Sequence, residues 1–240
     1  MKTLILIPSR MASQRFPNKP MAKIDGIPMI QRVWEQAKKA NLGKVIVACC
    51  DNEVKDLIGS LGGDIIMTDP NLPTGTDRIF AAIQNYNNIS DYDNIINLQG
   101  DMPIINPMDI VKVNKPLNQG FDIGTLVTDL KYNEILNSNI TKAEVSWIKK
   151  NVIGKATSFY RIAKKPLNTL YHHVGIYSFR FETLKKFISF HPSKNEIKHK
   201  LEQLRALDHK MTIGVNYVKN VPISVDTKED LFKVEKILKQ

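Results

Sequence analysis

The stretch that decides the fold stands at the start of the chain and reads Ile5-Leu-Ile-Pro-Ser-Arg-Met-Ala-Ser-Gln-Arg-Phe-Pro-Asn-Lys-Pro20. It continues an apolar run that begins at Leu4 and ends at Pro8, which predicts a short buried strand followed by a loop. A buried strand so close to the start is typical of an α/β sheet. Open sheets of that kind bind ligands at the carboxyl ends of their strands.

Three cationic side chains lie in this loop: Arg10, Arg15 and Lys19. Cations clustered at a strand end favour an anionic ligand, so we expect a polyphosphate there. The alternative is a solvated surface loop with scattered charge. The prolines of the segment argue against a loose loop because they restrict its backbone.

Strand and helix patterns alternate along the first half of the chain. Strands are expected over Lys2–Ile7, Lys44–Cys49, Ile65–Met67, Asn94–Leu98 and Asp122–Thr128. Helices are expected over Pro28–Ala40, Glu53–Leu61, Asp77–Tyr86 and Pro107–Leu117. This alternation predicts an α/β fold with a mainly parallel sheet and helices on both faces.

The pattern changes at about residues 131–177. Strands without intervening helices are expected over Ala143–Ile148, Lys155–Tyr160 and Tyr171–Ser178, which predicts a small antiparallel insertion. The last part should hold helices over Phe181–Phe187, Asn195–Leu207 and Lys228–Leu238, and strands over Met211–Tyr217 and Val221–Val225. Without a low-complexity linker or internal repeat, residues 1–240 are expected to form a single domain.

Composition limits the function classes. The chain has 240 residues, 42% of them hydrophobic, and a formal net charge of +10. This charge is compatible with nucleic acid, an anionic membrane surface or acidic small molecules. The basic residues are dispersed and no nucleic-acid-binding signature is present.

No apolar run is long enough to span a bilayer, and the apolar start is too short for a signal peptide, so we expect a cytoplasmic protein. The two cysteines, Cys49 and Cys50, are neighbours and are expected to pack as small apolar residues rather than to form a disulfide.

Carboxylates follow two further strand patterns. Ile95-Ile-Asn-Leu-Gln-Gly-Asp101 places Gln99 and Asp101 at a strand end, although Gly-Asp is also ordinary turn chemistry. Val221-Pro-Ile-Ser-Val-Asp226 ends in a carboxylate that could equally cap the last helix, with Glu229 as its partner. Taken with the cationic loop, two carboxylates at strand ends suit Mg²⁺ and a nucleoside triphosphate.

Thr74-Gly-Thr-Asp-Arg78 approaches a predicted helix. Free N–H groups at the helix start and the guanidinium of Arg78 could bind a base or a phosphate. Simple helix capping explains the same residues equally well. The chain lacks the glycine-rich phosphate cradles of P-loop proteins and dinucleotide-binding dehydrogenases, which argues against both classes.

Six ordered motifs, from Ile7 to Leu231, resemble the 3-deoxy-manno-octulosonate cytidylyltransferases: R-M-A-S-Q-R-F-P-N-K-P, T-G-T-D-R, N-L-Q-G-D-M-P, H-V-G-I-Y, L-E-Q-L-R and V-D-T-K-E-D-L. The resemblance implies a three-layer α/β/α nucleotidyltransferase fold, usually as a homodimer. It implies transfer of CMP from CTP to 3-deoxy-manno-octulosonate (Kdo), with release of pyrophosphate, for lipopolysaccharide assembly. Mg²⁺ is the implied cofactor.

The resemblance also implies roles for individual residues. Contacts to the nucleotide fall on Pro8, Arg10, Lys19, Thr74, Gly75, Arg78 and Gln99. Asp101 and Asp226 match the Mg²⁺ ligands, and together with Arg10, Arg15 and Lys19 they form the expected catalytic set. The sugar acid is assigned to Arg15, Arg161, His173, Tyr177, Glu202 and Gln203. From the residues alone, His173 could instead be a core histidine, and Leu201–Arg205 a solvated helix face.

The chain departs from the family pattern at several places. Asn18 replaces a common glycine, so we expect it in a left-handed conformation. His172 replaces an arginine and suggests that sugar binding depends on pH near neutrality. Cys49-Cys50-Asp51 replaces a threonine-containing strand end, and Arg161-Ile-Ala-Lys-Lys-Pro166 keeps the family segment poorly.

Two rival functions follow from the same residues. A cytidylyltransferase for a nine-carbon sugar acid, of sialic or legionaminic type, would have a similar first loop. A non-catalytic nucleotide- or RNA-binding protein would explain the positive charge. Neither rival accounts for L-E-Q-L-R and H-V-G-I-Y, which favour Kdo.

Overall fold

The strands and helices follow the predicted order over most of the chain. A computed structural model describes residues 2–12, 15–162 and 167–239. Its strands are β1 (Thr3–Pro8), β2 (Lys23–Ile24), β3 (Ile27–Pro28), β4 (Gly43–Cys49), β5 (Asp64–Met67), β6 (Asn94–Asn97), β7 (Ile123–Asp129), β8 (Lys142–Lys149), β9 (Ile153–Tyr160), β10 (Leu170–Arg180) and β11 (Ile213–Tyr217). Its helices are α1 (Met29–Lys39), α2 (Asn52–Ser60), α3 (Gly75–Gln84), α4 (Pro107–Lys112), α5 (Phe181–Ser189), α6 (Lys194–His199), α7 (Gln203–Asp208) and α8 (Lys228–Leu238). None of the described helices is long and apolar enough to cross a membrane.

The chain divides into two compact units. The first comprises Met1–Ile110 and Pro222–Gln240, and the second Val111–Val221. The second unit includes the predicted antiparallel region, 131–177, and extends beyond it on both sides. The organisation as one domain stays a prediction.

A parallel sheet forms the centre of the first unit, in the order β5, β4, β1, β6. All six residues of β1 are buried, because β4 and β6 flank it and helices cover the sheet. Helix α1 buries Met29, Ile30, Val33 and Ala37 on one face, at the spacing expected of an amphipathic helix. The predicted α/β class with a mainly parallel sheet is thus confirmed.

The strands of the second unit are mostly antiparallel. They lie in the order β10, β7, β11, β9, β8, and β8 also pairs with the start of β10, so the five strands close into a ring. Among the described strands of this unit, only β7 and β11 pair in parallel. The three strands predicted between residues 131 and 178 are confirmed as β8, β9 and β10.

Three predicted elements were wrong. Val221–Val225 is not a strand; Pro222 has no N–H to donate to a sheet, and Val225 makes a single bridging hydrogen bond, from its N–H to the Asp101 carbonyl at 2.8 Å. The helix predicted over Asn195–Leu207 is two helices, because Lys200 adopts a left-handed conformation (φ 52°) between α6 and α7. The helix predicted to reach Leu117 ends at Lys112, ahead of Pro116, which disfavours helix at the preceding residue.

The segment Arg161–Pro166 lies partly outside the described residues, as do Ser13 and Gln14 of the first loop. Both cysteines are free, and Cys49 is fully buried as predicted.

Candidate active site

A cavity of about 880 Å³ opens in the first unit at the carboxyl ends of β1 and β6 and the start of α3. Every residue predicted for catalysis, nucleotide binding or metal binding lines it: Pro8, Arg10, Arg15, Lys19, Thr74, Gly75, Arg78, Gln99, Asp101 and Asp226. Residues more than 200 positions apart therefore meet at one place, at the strand ends where the sheet geometry predicts a ligand.

At the cavity wall, one ammonium group lies between two carboxylates. Lys19 Nζ is 2.9 Å from Asp101 Oδ2 and 3.2 Å from Asp226 Oδ1, and Arg15 Nη2 is 3.0 Å from the same Asp226 oxygen. Burial lowers the pKa of Lys19, but Asp101 and Asp226 together raise it above its ordinary value. Lys19 is therefore a permanent cation. Its side chain is 16% exposed and that of Asp101 is 22% exposed, so water and ligands can reach the cluster.

The backbone explains how the carboxylates converge. The hydrogen bond from Val225 N–H to the Asp101 carbonyl sets Asp226 beside Asp101. The cap of α8 is Thr227, whose hydroxyl forms a capping box with Asp230. The alternative in which Asp226 caps that helix was therefore wrong, and the carboxylate of Asp226 points to cations instead.

The first loop is fixed at its centre by Phe16, which is buried with Ile24, Met29, Val225 and Val234. Asn18 has φ 59° and ψ 23°, so the predicted left-handed conformation is confirmed. Its position directly before the short 3₁₀ turn Lys19–Met21 aims Lys19 at the carboxylates.

Helix α3 presents its start to the cavity. Thr74 caps it with a reciprocal pair to Asp77, so capping is confirmed for this motif. Arg78 is buried and donates to Thr68 Oγ1 at 2.6 Å and to the Asp69 carbonyl at 3.1 Å. A Cβ at Gly75 would lie 3.1 Å from the ring of Pro8 and 3.3 Å from Gln99 Oε1, so glycine allows these walls to approach closely.

Gln99 is held by its side-chain amide nitrogen. Its Nε2 donates to Asn97 Oδ1 at 2.9 Å, and Asn97 in turn donates to Thr76 Oγ1 at 3.2 Å. This chain of amides orients the carboxamide of Gln99 at the cavity wall, which is a suitable arrangement for reading a polar base edge.

Ser9 also lines the cavity, but the sequence reasoning did not place it among the site residues. Ser9 is 6% exposed, and its hydroxyl has no hydrogen-bond partner among the described residues. Its N–H donates to the Ala48 carbonyl at 2.8 Å. The signal was its position directly after β1, within the same cationic loop.

In the second unit, His173 is buried and bonded within the protein. Its Nε2 is 3.0 Å from Thr125 Oγ1, and its ring contacts the rings of Phe159 and Tyr177. Burial lowers the pKa of His173 to about 3, so the ring is neutral at pH 7. The sugar-binding role of His173 stays a prediction.

Tyr177, Arg161 and Glu202 are electrostatically linked in the same unit. Burial raises the pKa of Tyr177 and nearby Glu202 raises it further, whereas Arg161 lowers it. Arg161 donates to the Lys200 carbonyl at 3.0 Å. The structure thus brings together most of the residues predicted to bind the sugar acid.

The L-E-Q-L-R motif is tied to α6 by a buried ion pair. Arg205 Nε is 2.7 Å from Glu196 Oε2 and its Nη2 is 2.6 Å from Glu196 Oε1, and its guanidinium lies over the ring of Phe187. Gln203 is buried and Glu202 is half-buried. The alternative of a wholly solvated helix face was therefore wrong.

Sequence reasoning also missed Lys142. Its side chain is fully buried, and Nζ donates to the carbonyls of Asn137, Ile140 and Arg161 at 2.6–2.8 Å. Burial lowers the pKa of Lys142. No signal could have found this residue, because a lysine at the start of a strand pattern is usually solvent-facing.

His172 pairs with Glu134, with 3.1 Å between Nδ1 and Oε2. Burial nevertheless lowers the pKa of His172, and Lys142 and Lys131 oppose the effect of Glu134.

For metal binding, the described residues contain no group of three or more His, Cys, Asp or Glu side chains that could hold an ion. Asp101 and Asp226 still fit Mg²⁺, which usually takes one or two carboxylates and completes its shell with water and substrate phosphate. Their oxygens already share one cation, the ammonium of Lys19.

The fold and cavity define an α/β protein with a nucleotide-type site at its strand ends, and comparison with known proteins gives the family. A family model described as cytidylyltransferase matches residues 4–213. The chain is 41% identical to the 3-deoxy-manno-octulosonate cytidylyltransferase of Paramagnetospirillum magneticum, over 98% of this chain and 97% of that one. It is 42% identical to the enzyme of the same name from Bartonella tribocorum, over 99% of each chain.

A solved structure of CMP:2-keto-3-deoxy-manno-octonic acid synthetase complexed with CTP matches with a TM-score of 0.90 and 31% identity, covering 100% of this chain and 99% of that one. The chain therefore belongs to the 3-deoxy-manno-octulosonate cytidylyltransferase family.

Proposed function

We propose that this protein transfers CMP from CTP to the anomeric hydroxyl of Kdo and releases pyrophosphate, supplying CMP-Kdo for lipopolysaccharide biosynthesis. The observation that carries the proposal is the cluster of Lys19, Asp101, Asp226 and Arg15 at the wall of a cavity that also holds the predicted nucleotide residues. The family relationship supports the same reaction.

The nucleotide occupies this cavity. Arg10, Arg15 and Lys19 supply positive charge for the triphosphate, and the start of α3 offers N–H groups beside Thr74 and Gly75. Gln99 and the wall formed by Pro8 and Gly75 border the base. Arg78 makes its hydrogen bonds to residues 68 and 69, so it shapes the wall of the site.

The reaction is a phosphoryl-type transfer. The hydroxyl oxygen of the sugar attacks the α-phosphorus of CTP and a new P–O bond forms, while the hydroxyl proton passes to water. The α–β bridging P–O bond breaks with its electron pair leaving on pyrophosphate. Such transfers depend on positioning and charge neutralisation more than on covalent catalysis. Arg10, Arg15 and Lys19 neutralise the leaving group. We assign no protein side chain as general base.

Asp101 and Asp226 would hold Mg²⁺ as the cofactor. When bound, the ion would supply further positive charge at the phosphates and lower the pKa of a coordinated hydroxyl. The chain's own contribution is to gather the two carboxylates, through the bond between Val225 N–H and the Asp101 carbonyl, and to hold Lys19 between them.

For the sugar acid we keep the predicted residues: Arg15, Arg161, His173, Tyr177, Glu202 and Gln203. Because His173 is neutral and bonded to Thr125, it would act as a neutral hydrogen-bonding or packing group rather than as a cation. Arg161 is then the residue of this set in the second unit that supplies positive charge for the carboxylate of the sugar.

Two properties belong to the same proposal. The enzyme acts in the cytoplasm, where CTP is made, and it works as a homodimer. Exposed apolar side chains at and beside the β8–β9 turn, Ile148 and Val152, support a dimer interface in the second unit. Light scattering on the purified chain would give the mass of a dimer if this is right.

The test is pyrophosphate release from CTP and Mg²⁺ with each candidate acceptor. We expect release with Kdo and none with a sialic or legionaminic acid. Pyrophosphate release with a nine-carbon acid but not with Kdo would contradict the proposal and identify a cytidylyltransferase for nine-carbon sugar acids. Salt-sensitive binding of oligonucleotides without any release would support the non-catalytic alternative.

A further inference from the structure

Asp51 stands where an aspartate usually caps a helix, but it does not cap one. It is the residue before α2, with extended backbone angles (φ −117°, ψ 133°), and its side chain makes no capping hydrogen bond. Its Oδ2 instead accepts the N–H of Met11 at 2.8 Å, from a residue 40 positions earlier in the first loop. The thiol of Cys50 lies 3.3 Å from the same oxygen.

Met11 is bonded on its other side as well. Its carbonyl accepts the N–H of Asn18 at 3.1 Å, which closes the loop just before Lys19. On the preceding side, Ser9 N–H donates to the Ala48 carbonyl at 2.8 Å. Arg10 therefore lies between two residues whose N–H groups are hydrogen-bonded, Ser9 and Met11. The acceptors of both N–H groups lie within residues 48–51, at the end of β4 and the start of α2.

Asp51 does not line the cavity itself, but it is hydrogen-bonded to the loop whose cations do. Asp51 is absent from the described residues that line the cavity, whereas Arg10, Arg15 and Lys19 all line it. A carboxylate is a stronger acceptor for an N–H than a neutral oxygen. Because the Asp51 carboxylate accepts the Met11 N–H, α2 begins without a side-chain cap from Asp51.

We propose that Asp51 is a positioning residue for CTP binding, which acts through the N–H of Met11 to hold the cationic first loop in its binding geometry. The inference rests on the proposed function for the identity of the ligand. The hydrogen bond from Met11 N–H to Asp51 Oδ2, called the clamp below, does not depend on that function. Loss of the clamp frees the backbone on both sides of Met11, so Arg10 and Lys19 lose their fixed approach to the triphosphate.

Three substitutions separate the clamp from ordinary helix stability. Asp51→Ser keeps a residue that caps helices well, but its hydroxyl is on Cβ, one bond short of the carboxylate oxygens, and does not reach Met11. Asp51→Asn keeps an acceptor oxygen at the original distance. Val54→Ala removes a fully buried side chain of α2 and leaves the clamp intact, which makes it the control for stability.

Trypsin reports on the loop directly, because Arg10 and Arg15 are cleavage sites within or beside it. In the full-length protein without ligands, we expect D51S to be cut after these residues at least about fivefold faster than wild type, since cleavage follows local opening. D51N and V54A should stay within about twofold of wild type in the same assay.

Steady-state kinetics then test the consequence for CTP. We expect D51S to raise KM for CTP about tenfold, and D51N to raise it no more than about threefold, because misplacing binding groups weakens substrate positioning. V54A should lower the melting temperature and leave KM for CTP unchanged.

The proposed clamp is contradicted if trypsin cleaves D51S and V54A at equal rates. It is also contradicted if D51N is cleaved as fast as D51S or raises KM for CTP as much. Faster cleavage of D51S with an unchanged KM for CTP would overturn the link to nucleotide binding. If the wild-type protein releases no pyrophosphate, the proposed function fails, and the proteolysis result still decides whether Asp51 holds the loop.

Discussion

Lys19 and Arg15 of the first unit have surroundings opposite to those of Arg205 and Lys142 of the second. In the cavity of the first unit, Lys19 and Arg15 pair with carboxylates that water can reach, and the side chain of Arg15 is 58% exposed. In the second unit, Arg205 and Lys142 are buried, and protein carboxylates or carbonyls accept their N–H groups.

This contrast separates the ligand-binding residues of a motif from its structural residues. A cation with exposed, rearrangeable partners can exchange them for a ligand. A buried cation whose partners are all internal cannot leave them without cost, since breaking a buried pair leaves an uncompensated charge. Substitutions in the first set should therefore change activity, and those in the second should change stability.

The largest expected effect is that of Lys19→Met. It should lower kcat/KM for CTP by about a thousandfold, because it removes charge from the developing leaving group, while the melting temperature changes little. The control is Lys44→Met, which breaks an exposed pair with Asp64 outside the cavity and should leave the kinetics unchanged. Equal kinetics for the two variants would contradict the assignment of Lys19.

Arg205→Met should have the opposite signature. It leaves Glu196 buried and unpaired, so we expect a loss of about 3 kcal/mol in the free energy of unfolding, seen by urea denaturation. Replacing both partners, as in Glu196→Leu with Arg205→Met, should recover part of the loss. A variant that melts normally but loses turnover would place Arg205 with the ligand-binding residues.

Acid should destabilise the second unit through its buried histidines. The pKa of His173 is lowered to about 3 by burial, and that of His172 is lowered as well, so the folded protein binds fewer protons than the unfolded chain between about pH 3 and 6.5. The stabilisation is therefore complete above about pH 6.5 and is lost as the pH falls through this range. His173→Gln should flatten the slope of stability against pH there; an unchanged slope would contradict the burial argument.

The same shift refines the hypothesis for His172. Because its pKa is lowered, its charge should change below neutrality, and KM for Kdo should be constant between pH 7 and 8. A KM that changes within that interval would show that the ring titrates near its ordinary value.

The smallest expected effect compares two helix caps. Thr74→Ala and Ser193→Ala each remove a capping box, so each should lose about 1 kcal/mol of stability. Only Thr74 borders the cavity, so only Thr74→Ala should also raise KM for CTP. A similar KM for both variants would limit Thr74 to capping.

Much of the first unit could be predicted because its signals are local. Apolar runs ending at Pro8 and at Gln99-Gly100-Asp101 mark strand ends, and parallel strands bring their carboxyl ends to one edge. That rule was sufficient to bring Lys19 and Asp101 together. Asn18 was predicted in the left-handed region from the family glycine it replaces.

The missed features depend on contacts between distant residues. The helix pattern of Asn195–Leu207 is continuous in sequence, and its break at Lys200 carries no glycine or proline signal. The segment Val221–Val225 reads as a strand, but it is placed by the hydrogen bond from Val225 N–H to the Asp101 carbonyl and by the burial of Val225 against Phe16. The partners of Lys142 and the distant partner of Asp51, the N–H of Met11, are backbone groups, which no side-chain pattern identifies.

The cavity carboxylates serve catalysis rather than folding, and the variant Asp101→Asn separates these two roles. Pyrophosphate release from CTP, Mg²⁺ and Kdo should fall by about a thousandfold or more, while the thermal melting curve stays within a few degrees of wild type. Near-normal release by this variant would contradict the account.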